Sequence, residues 1–390
     1  MLREQLLPLA EKILPQAIRW RRQLHAYPEL AYEEHQTAAL IAEVLRGLGM
    51  EVSTGIAKTG VVGILRGHDP ERHCVGLRAD MDALPIQEAN KTDYASQLPG
   101  KMHACGHDFH TANLLAVAHV LHELRESWSG SIKFIFQPSE EKMPSGAAAM
   151  IAAGVLQEPR VDALFGLHVH PELPAGNIGF RAGKFMASAD EIHINIIGRG
   201  GHAAQPSAFV SPLLMGSEII RALQVKTDLS VPVVLSFGRF MAEGATNVIP
   251  ERAVLAGTLR CFDETVRAEM HQMIAATCSN VAHQFGGQCE LHLEKGYPVL
   301  VNNETLTSQA SHISRQLFGA EQVHDLPIRM GAEDFAYYSH VVPACFFRVG
   351  TGNPAKGITS AIHTPTFDID EYAFLVSIAA MAGFAMAFRK

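Results

Sequence analysis

Charge is thin in this chain. Only 18% of its 390 residues are charged, and acidic groups outnumber basic ones, 40 to 32, for a formal charge of -8. A nucleic-acid surface needs clustered Lys and Arg, so this balance excludes a nucleic-acid partner. Cysteine is sparse as well, with Cys74, Cys105, Cys261, Cys278, Cys289 and Cys345 scattered along the chain. Such spacing forms no disulfide framework and predicts a reducing, cytoplasmic setting. No apolar run reaches the about 18 residues that mark a membrane span. The nearest, YAFLVSIAAMAGFAMAF at 372–388, is rich in Ala, Gly and Ser and reads as a buried C-terminal helix, so no membrane partner is expected. The N-terminus has charges of both signs and Pro8 but no long apolar core, which excludes a signal peptide. Repeats and low-complexity segments are absent.

Histidine, by contrast, is abundant, at 20 residues. Neutral imidazole serves both as a metal ligand and as a general base. The length exceeds what one hydrophobic core usually serves, which predicts two domains. Residues 33–49 carry apolar positions at helical spacing, and β-branched runs follow at 61–65 and 74–77. A helix is expected over 108–125 with Asp108 as its N-cap. Then come SIKFIF (131–136), a small-residue helix near 146–154, and ALFGLHV (163–169). This alternation predicts an α/β fold with a mixed, mostly parallel sheet and helices on both faces. From residue 187 the pattern changes to β-α-β-β-α-β, with a helix expected over SPLLMGSEIIRALQV (211–225), the order of a ferredoxin-like α+β domain. The expected division is a discontinuous catalytic domain, 1–186 with 297–390, interrupted by a satellite domain over 187–296.

Several short stretches carry chemistry. In MHACGHDFHTA (102–112), Cys105 and His107 flank a glycine, and a turn there can aim thiolate and imidazole at one ion. The alternative is a buried cysteine beside surface histidines. FQPSEE ends a strand with Glu140 and Glu141, where active sites of open α/β sheets lie. One glutamate could bind metal while the other takes a proton from water, or both could form a solvated acidic turn. GLHVHP places His168 and His170 at another strand end, with Pro171 expected to interrupt the strand. Asp80 and Asp82 end GLRADMDALP, where an aspartate could orient a ligand histidine or cap a turn. His363 precedes the C-terminal helix. Gly198-Arg199-Gly200-Gly201-His202-Ala203 fits a dinucleotide-binding fingerprint, but Pro206 and Pro212 fall where its helix should start. It therefore reads as a glycine-rich turn presenting His202.

Taken together and in order, LHAYPELAYEE, GLRADMDALP, MHACGHDFHTA, FQPSEE, GLHV, GRGGHAAQPS, NVIPERAVLAGTLR, GAEDF and HTPTFDID resemble the metal-dependent N-acyl-amino-acid amidohydrolases. That family includes hippurate hydrolase, N-acetyl-amino-acid deacetylases and plant auxin-conjugate hydrolases, and is related to aminoacylases and zinc carboxypeptidases. The resemblance implies a zinc-exopeptidase-like catalytic domain with Cys105, His107, Glu141, His168 and His363 around one or two divalent ions. It implies manganese or zinc there, with cobalt or nickel as alternatives. It further implies Glu140 as the base acting on metal-bound water, Asp82 behind the metal site, and His202 as oxyanion donor. Asn247 and Arg260 match the residues that hold the product's carboxylate. The inserted domain resembles the family's lid and dimerisation domain, which implies a homodimer or homotetramer. The implied reaction is hydrolysis of small-molecule N-acyl-amino acids of the N-acetyl or N-benzoyl type. Dipeptidase or carboxypeptidase activity is the alternative on the same scaffold. Other classes are a non-catalytic metal-binding protein, a nicotinamide oxidoreductase and a cysteine hydrolase built on Cys105. Two departures stand out: Ser139 precedes the glutamate pair where relatives often have alanine, and Asp80 stands where carboxypeptidase-like relatives have histidine.

Overall fold

The computed structural model describes residues 2–224 and 231–389. Val225, the end of the expected helix 211–225, lies outside the described residues, as do the terminal Met1 and Lys390. In chain order the main elements begin with α1 (Leu2–Ala26), α2 (His35–Gly47), β1 (Glu51–Ile56), β2 (Gly60–Arg66) and β3 (Cys74–Asp80). Next come α3 (His107–Glu123), β4 (Ser131–Gln137), α4 (Gly146–Ala152), β5 (Ala163–Pro174) and β6 (Ile178–Phe180). There follow β7 (Ser188–Ile197), α5 (Pro212–Gln224), β8 (Val233–Met241), β9 (Arg252–Cys261), α6 (Glu264–Phe285) and β10 (Gln288–Lys295). The last are α7 (Glu304–Phe318), β11 (Val323–Asp325), α8 (Ala336–Ser339), β12 (Ala344–Gly352) and α9 (Ala373–Ala387). The chain forms two compact units. The larger takes Met1–Gly183, Val301–Pro327 and Asp334–Lys390; the smaller takes Lys184–Leu300 and Ile328–Glu333.

In the larger unit an eight-stranded sheet runs β1-β2-β4-β3-β5-β12-β6-β11. Strand β3 is parallel to both β4 and β5, and β5 to β12, while β1, β2 and β6 add antiparallel pairings. The sheet is therefore mixed and mostly parallel, as its alternating pattern predicts. Helices cover both faces, because neighbouring residues of a strand point opposite ways. On β12, Phe347 lies 5.3 Å from the ring of Phe384 in α9, whereas Phe346 lies 4.9 Å from Phe335, just ahead of α8. On β5, Phe165 meets Phe384 at 5.3 Å, and a Cβ on Gly166 would stand 2.6 Å from the Phe335 ring. Helix α9 is apolar all round and accordingly buried all round, packed among α1, α3 and α7. Among the described residues no helix is long and apolar enough to cross a membrane.

Three features differ from the expectations. Helix α1 has no counterpart among them, and it forms although Pro8 and Pro15 lie inside it. Each proline removes a helix hydrogen bond, yet Leu6, Ala10, Ala17 and Leu24 are buried in contact with α3 and α9, and that burial offsets the loss. Asp108 is not the cap of α3 but its second residue. The helix starts behind Gly106, which has φ +83, and a Cβ there would lie 2.7 Å from Val169. Asp108 is buried instead, with Oδ2 accepting from Arg21 Nε at 2.9 Å and from His25 Nδ1 at 2.8 Å. Finally, Pro171 does not interrupt β5, which continues to Pro174; its register against β12 shifts only at Gly350.

The smaller unit follows β-α-β-β-α-β, with a four-stranded antiparallel sheet in the order β8-β9-β7-β10. That order is ferredoxin-like. Ile192, Ile194 and Ile196 of β7 alternate inward, where they share a core with Met215 and Ile219 of α5 and Met270 and Ile274 of α6. The glycine-rich turn opens no helix. Gly201–His202 pairs with Val248–Ile249 in a short antiparallel ladder, and α5 starts only at Pro212. No helix N-terminus is offered there to a pyrophosphate, so the dinucleotide fingerprint has no structural support.

Candidate metal centre

The carboxyl ends of β3, β4 and β5 and the start of α3 bring one group of donors together. Cys105 Sγ lies 3.3 Å from His168 Nε2 and 3.3 Å from His363 Nε2. Glu141 Oε1 stands 3.0 Å from His363 Nε2 and 4.0 Å from His107 Nε2, which is also 4.0 Å from Glu140 Oε2. The donor atoms of Cys105, His107 and His168 lie within 4.8 Å of one another; so do those of Cys105, Glu141 and His363, and those of His107, Glu140 and Glu141. The sulfur belongs to two of these triads, an arrangement with room for one ion or two.

Every donor but Cys105 is aimed by a neighbour. Asp82, buried, takes His107 Nδ1 on Oδ1 at 3.2 Å, which leaves Nε2 facing the group. Its Oδ1 also accepts the Glu140 N–H and its Oδ2 the Glu141 N–H, both at 3.0 Å, so one carboxylate sets the imidazole and both glutamates. His168 Nδ1 donates to the Val169 carbonyl at 2.8 Å, again leaving Nε2 for the group. His363 has φ +61 and is tied down by its own N–H, which donates to Ala104 O at 2.7 Å. A left-handed histidine is unusual, and here it turns the ring towards Cys105. Its side chain remains 48% exposed, so the group is reached from this side.

The electrostatics call for a cation. Burial would depress His107, yet the carboxylates of Asp80, Asp82 and Glu141 push it up to about 10. Burial, reinforced by Glu141 and Glu140, raises the Cys105 thiol well above its usual range. A thiol so raised makes a poor nucleophile, but a bound cation would stabilise its thiolate. His107 Nε2 and Glu141 Oε1 are buried without a hydrogen bond; the short Glu141–His363 approach lacks hydrogen-bond geometry. Soft sulfur, imidazole and carboxylate together fit a borderline divalent metal, and these residues fit such an ion.

Beneath the group lies a network whose members, Asp80 apart, lie in the motifs but were given no role there. Arg78, fully buried in β3, bonds Asp80 Oδ2 at 2.5 Å, Gln137 Oε1 at 2.9 Å and Asp334 Oδ1 at 2.8 Å. Burial pushes Asp334 up to about 6, against the pull of Arg78. Burial would also raise Asp80, but His107 and Arg78 hold it well below the usual carboxylate range. Asp80 is thus engaged from both sides, because His110 Nδ1 donates to its Oδ1 at 2.6 Å while His110 Nε2 accepts the Val169 N–H at 3.0 Å. The signal available in the sequence was an arginine inside the strand GLRAD, since a charge in a buried strand needs partners. His103 is buried beside the same region, where desolvation takes it down to about 4. The three remaining expected residues belong to the smaller unit. Asn247 O accepts the Ala203 N–H at 3.0 Å, next to His202, and Arg260 lies on β9 between Val234 and Ala189.

Imidazole, thiol and carboxylate gathered beside the strand ends, with a further carboxylate next to them, fit a hydrolase that works with divalent metal. The chain belongs to peptidase family M20/M25/M40, whose profile matches residues 76–386. It is 40% identical over 306 residues to the N-acyl-L-amino acid amidohydrolase of Geobacillus stearothermophilus, covering 77% of this chain and 82% of that protein. It is 37% identical over 378 residues to thermostable carboxypeptidase 2 of Saccharolobus solfataricus (strain ATCC 35092 / DSM 1617 / JCM 11322 / P2), covering 95% of both. Among solved structures it is similar to the Bacillus subtilis YXEP protein, described as a dinuclear metal binding peptidase from the M20 family. That match has a TM-score of 0.84 and 34% identity and covers 96% of this chain and 98% of that one.

Proposed function

We propose that this hydrolase cleaves the amide bond of N-acyl-amino acids, of the N-acetyl or N-benzoyl type, releasing a carboxylic acid and a free amino acid. The observation that carries the reading is the placement of Glu140 beside the donor group, on an amide held by Asp82. Cys105, His107, Glu141, His168 and His363 would hold the ions. A divalent ion, when bound, makes water acidic enough to react at neutral pH and polarises the scissile carbonyl. Glu140 accepts the proton of the attacking water and returns it to the leaving nitrogen. Asp82 keeps His107 in one tautomer and both glutamate amides in place. His202, Asn247 and Arg260 keep the substrate roles that the resemblance implies: His202 the oxyanion, the other two the free α-carboxylate. Manganese or zinc as the ion, a cytoplasmic location and a homodimer or homotetramer belong to the same proposal.

The metal-loaded protein should release free amine from N-acetyl- or N-benzoyl-amino acids, lose that activity to a chelator and regain it with Mn²⁺ or Zn²⁺. Glu140→Gln should retain the ions and lose turnover; full activity in that variant would sink the mechanism. The carboxypeptidase relative favours a second reading, cleavage of a C-terminal residue from a peptide. Faster turnover of dipeptides than of N-acyl-amino acids would establish it instead.

A further inference from the structure

The stretch LHAYPELAYEE contains a glutamate that the reaction does not use. Glu34 is buried, with no solvent exposure, between α1 and α2. Its Oε2 accepts the hydroxyl of Thr59 at 2.5 Å, and its Oε1 accepts the backbone N–H of Ser139 at 2.9 Å. Ser139 is the residue before the glutamate pair. The next two amides, of Glu140 and Glu141, are those taken by Asp82. Three successive N–H groups of the loop are thus held by two buried carboxylates from distant parts of the chain.

The backbone explains why the first of these bonds matters. Ser139 is a non-glycine residue at φ +50, a conformation that side chains with a Cβ adopt at a cost of about 1–2 kcal/mol. Some contact must therefore keep it there. Within the loop the Ser139 hydroxyl donates to Lys142 O and its carbonyl accepts the Gly146 N–H, both at 2.9 Å, while its amide is anchored outside the loop by Glu34. The same N-terminal turn also touches the far side of the loop, because Tyr32 donates its hydroxyl to Pro144 O at 2.7 Å. A change of φ at Ser139 swings every atom that follows, beginning with Glu140 and Glu141.

We infer that Glu34 is a positioning residue for the reaction: by holding the Ser139 amide in its left-handed conformation, it aims the Glu140 carboxylate. Asp82 sets where the two glutamates start, and Glu34 sets the direction from which the chain arrives. The inference rests on Glu140 as the base of the proposed reaction. It does not depend on which metal is bound or which acyl group is cleaved.

The test compares Glu34→Ala with Glu34→Gln in the metal-loaded full chain. Glutamine can still accept the Ser139 N–H through its oxygen and can donate its amide to the Thr59 hydroxyl, so it should keep kcat within about threefold of the parent. Alanine loses both bonds; because misplacement by about 1 Å can cost about 10²-fold, kcat should fall about 10- to 100-fold. KM should stay within about threefold, since no substrate contact is removed. A purely structural role would instead lower melting temperature and leave kcat of the folded fraction unchanged. That outcome overturns the inference, and so does an equal loss in the two variants. If Glu34→Ala does not fold, Glu34→Met decides, since it keeps most of the side-chain volume and loses both bonds: a selective loss of kcat supports the inference and an unchanged kcat overturns it. Glu140→Gln is measured alongside. If it stays active, the proposed base is wrong; if it is inactive while Glu34→Ala is fully active, only the positioning role fails.

Discussion

Replacing Asp82 by asparagine changes little in volume and removes one acceptor oxygen from a place where none is spare. Oδ1 takes both His107 Nδ1 and the Glu140 amide, and Oδ2 takes the Glu141 amide. Whichever way the new side chain sits, its NH2 faces an N–H donor. The cheaper orientation keeps the oxygen towards His107 and Glu140 and leaves the Glu141 amide buried and unpaired. An orphaned buried donor costs about 1–3 kcal/mol, and at 1.4 kcal/mol per tenfold that is about 5- to 150-fold in an equilibrium constant. The opposite orientation orphans two donors and costs more, so the first orientation is the one populated. The loss falls on Glu141 and hence on ion retention, which a competition titration of Asp82→Asn against a chromophoric chelator measures with Mn²⁺ or Zn²⁺. Melting of the ion-free protein gives the share that is pure stability. If affinity and melting temperature both match the parent, Asp82 is not what holds the Glu141 amide and the reasoning is refuted.

Gly106→Ala should destabilise by more than the about 1–2 kcal/mol of a left-handed L-residue, because its Cβ would also meet Val169 at 2.7 Å. Adding Val169→Ala should recover the clash but not the backbone share, a difference readable as two steps in melting temperature. In the smaller unit, Asp190 accepts from Arg267 Nε at 2.9 Å and His271 Nε2 at 2.7 Å, and this buried pairing lowers its pKa despite desolvation. A depressed carboxylate stabilises the fold above its unfolded value near about 3.9 and ceases to do so as pH falls through the folded value. Asp190→Asn should therefore cost about 1–3 kcal/mol at pH 7, since Arg267 loses this carboxylate but keeps Glu264 and the Gly296 carbonyl, and the gap to the parent should narrow by about pH 3. Equal gaps in melting temperature at the two pH values would contradict this.

The parts of the fold that were legible are those with a clean period. Ile192, Ile194 and Ile196 alternate as a half-buried strand must, and the wholly apolar α9 is a wholly buried helix. Where two local rules compete, sequence reading goes astray. Pro8 and Pro15 argue against α1 locally, while the burial that retains it comes from α3 and α9 far along the chain. Asp108 has the chemistry of an N-cap, but Arg21 and His25 claim its carboxylate. At the candidate site, Cys105, His107, Glu141, His168 and His363 could be proposed only because several motifs resemble one family; no single spacing contains them. Arg78, Asp334 and Glu34 were not assigned roles because their partners lie far along the chain: Asp334, in the turn before α8, meets Arg78 from 256 residues away.

The pairing of β5 with β12 sets the timetable of folding. Leu164 and Ala344 are register partners, yet the whole smaller unit is synthesised between them. As the chain leaves the ribosome, Cys105, His107, Glu140, Glu141 and His168 emerge early, on strands whose sheet still ends at β5. Until residues 344–352 arrive, that edge stays unpaired, and the apolar face covered by α9 stays open longer still. Long-range parallel pairing of this kind closes slowly and leaves the nascent chain prone to association. A cell making this protein therefore holds five of the six candidate donors before the sheet is finished, and the last, His363, comes only after the strand that completes it.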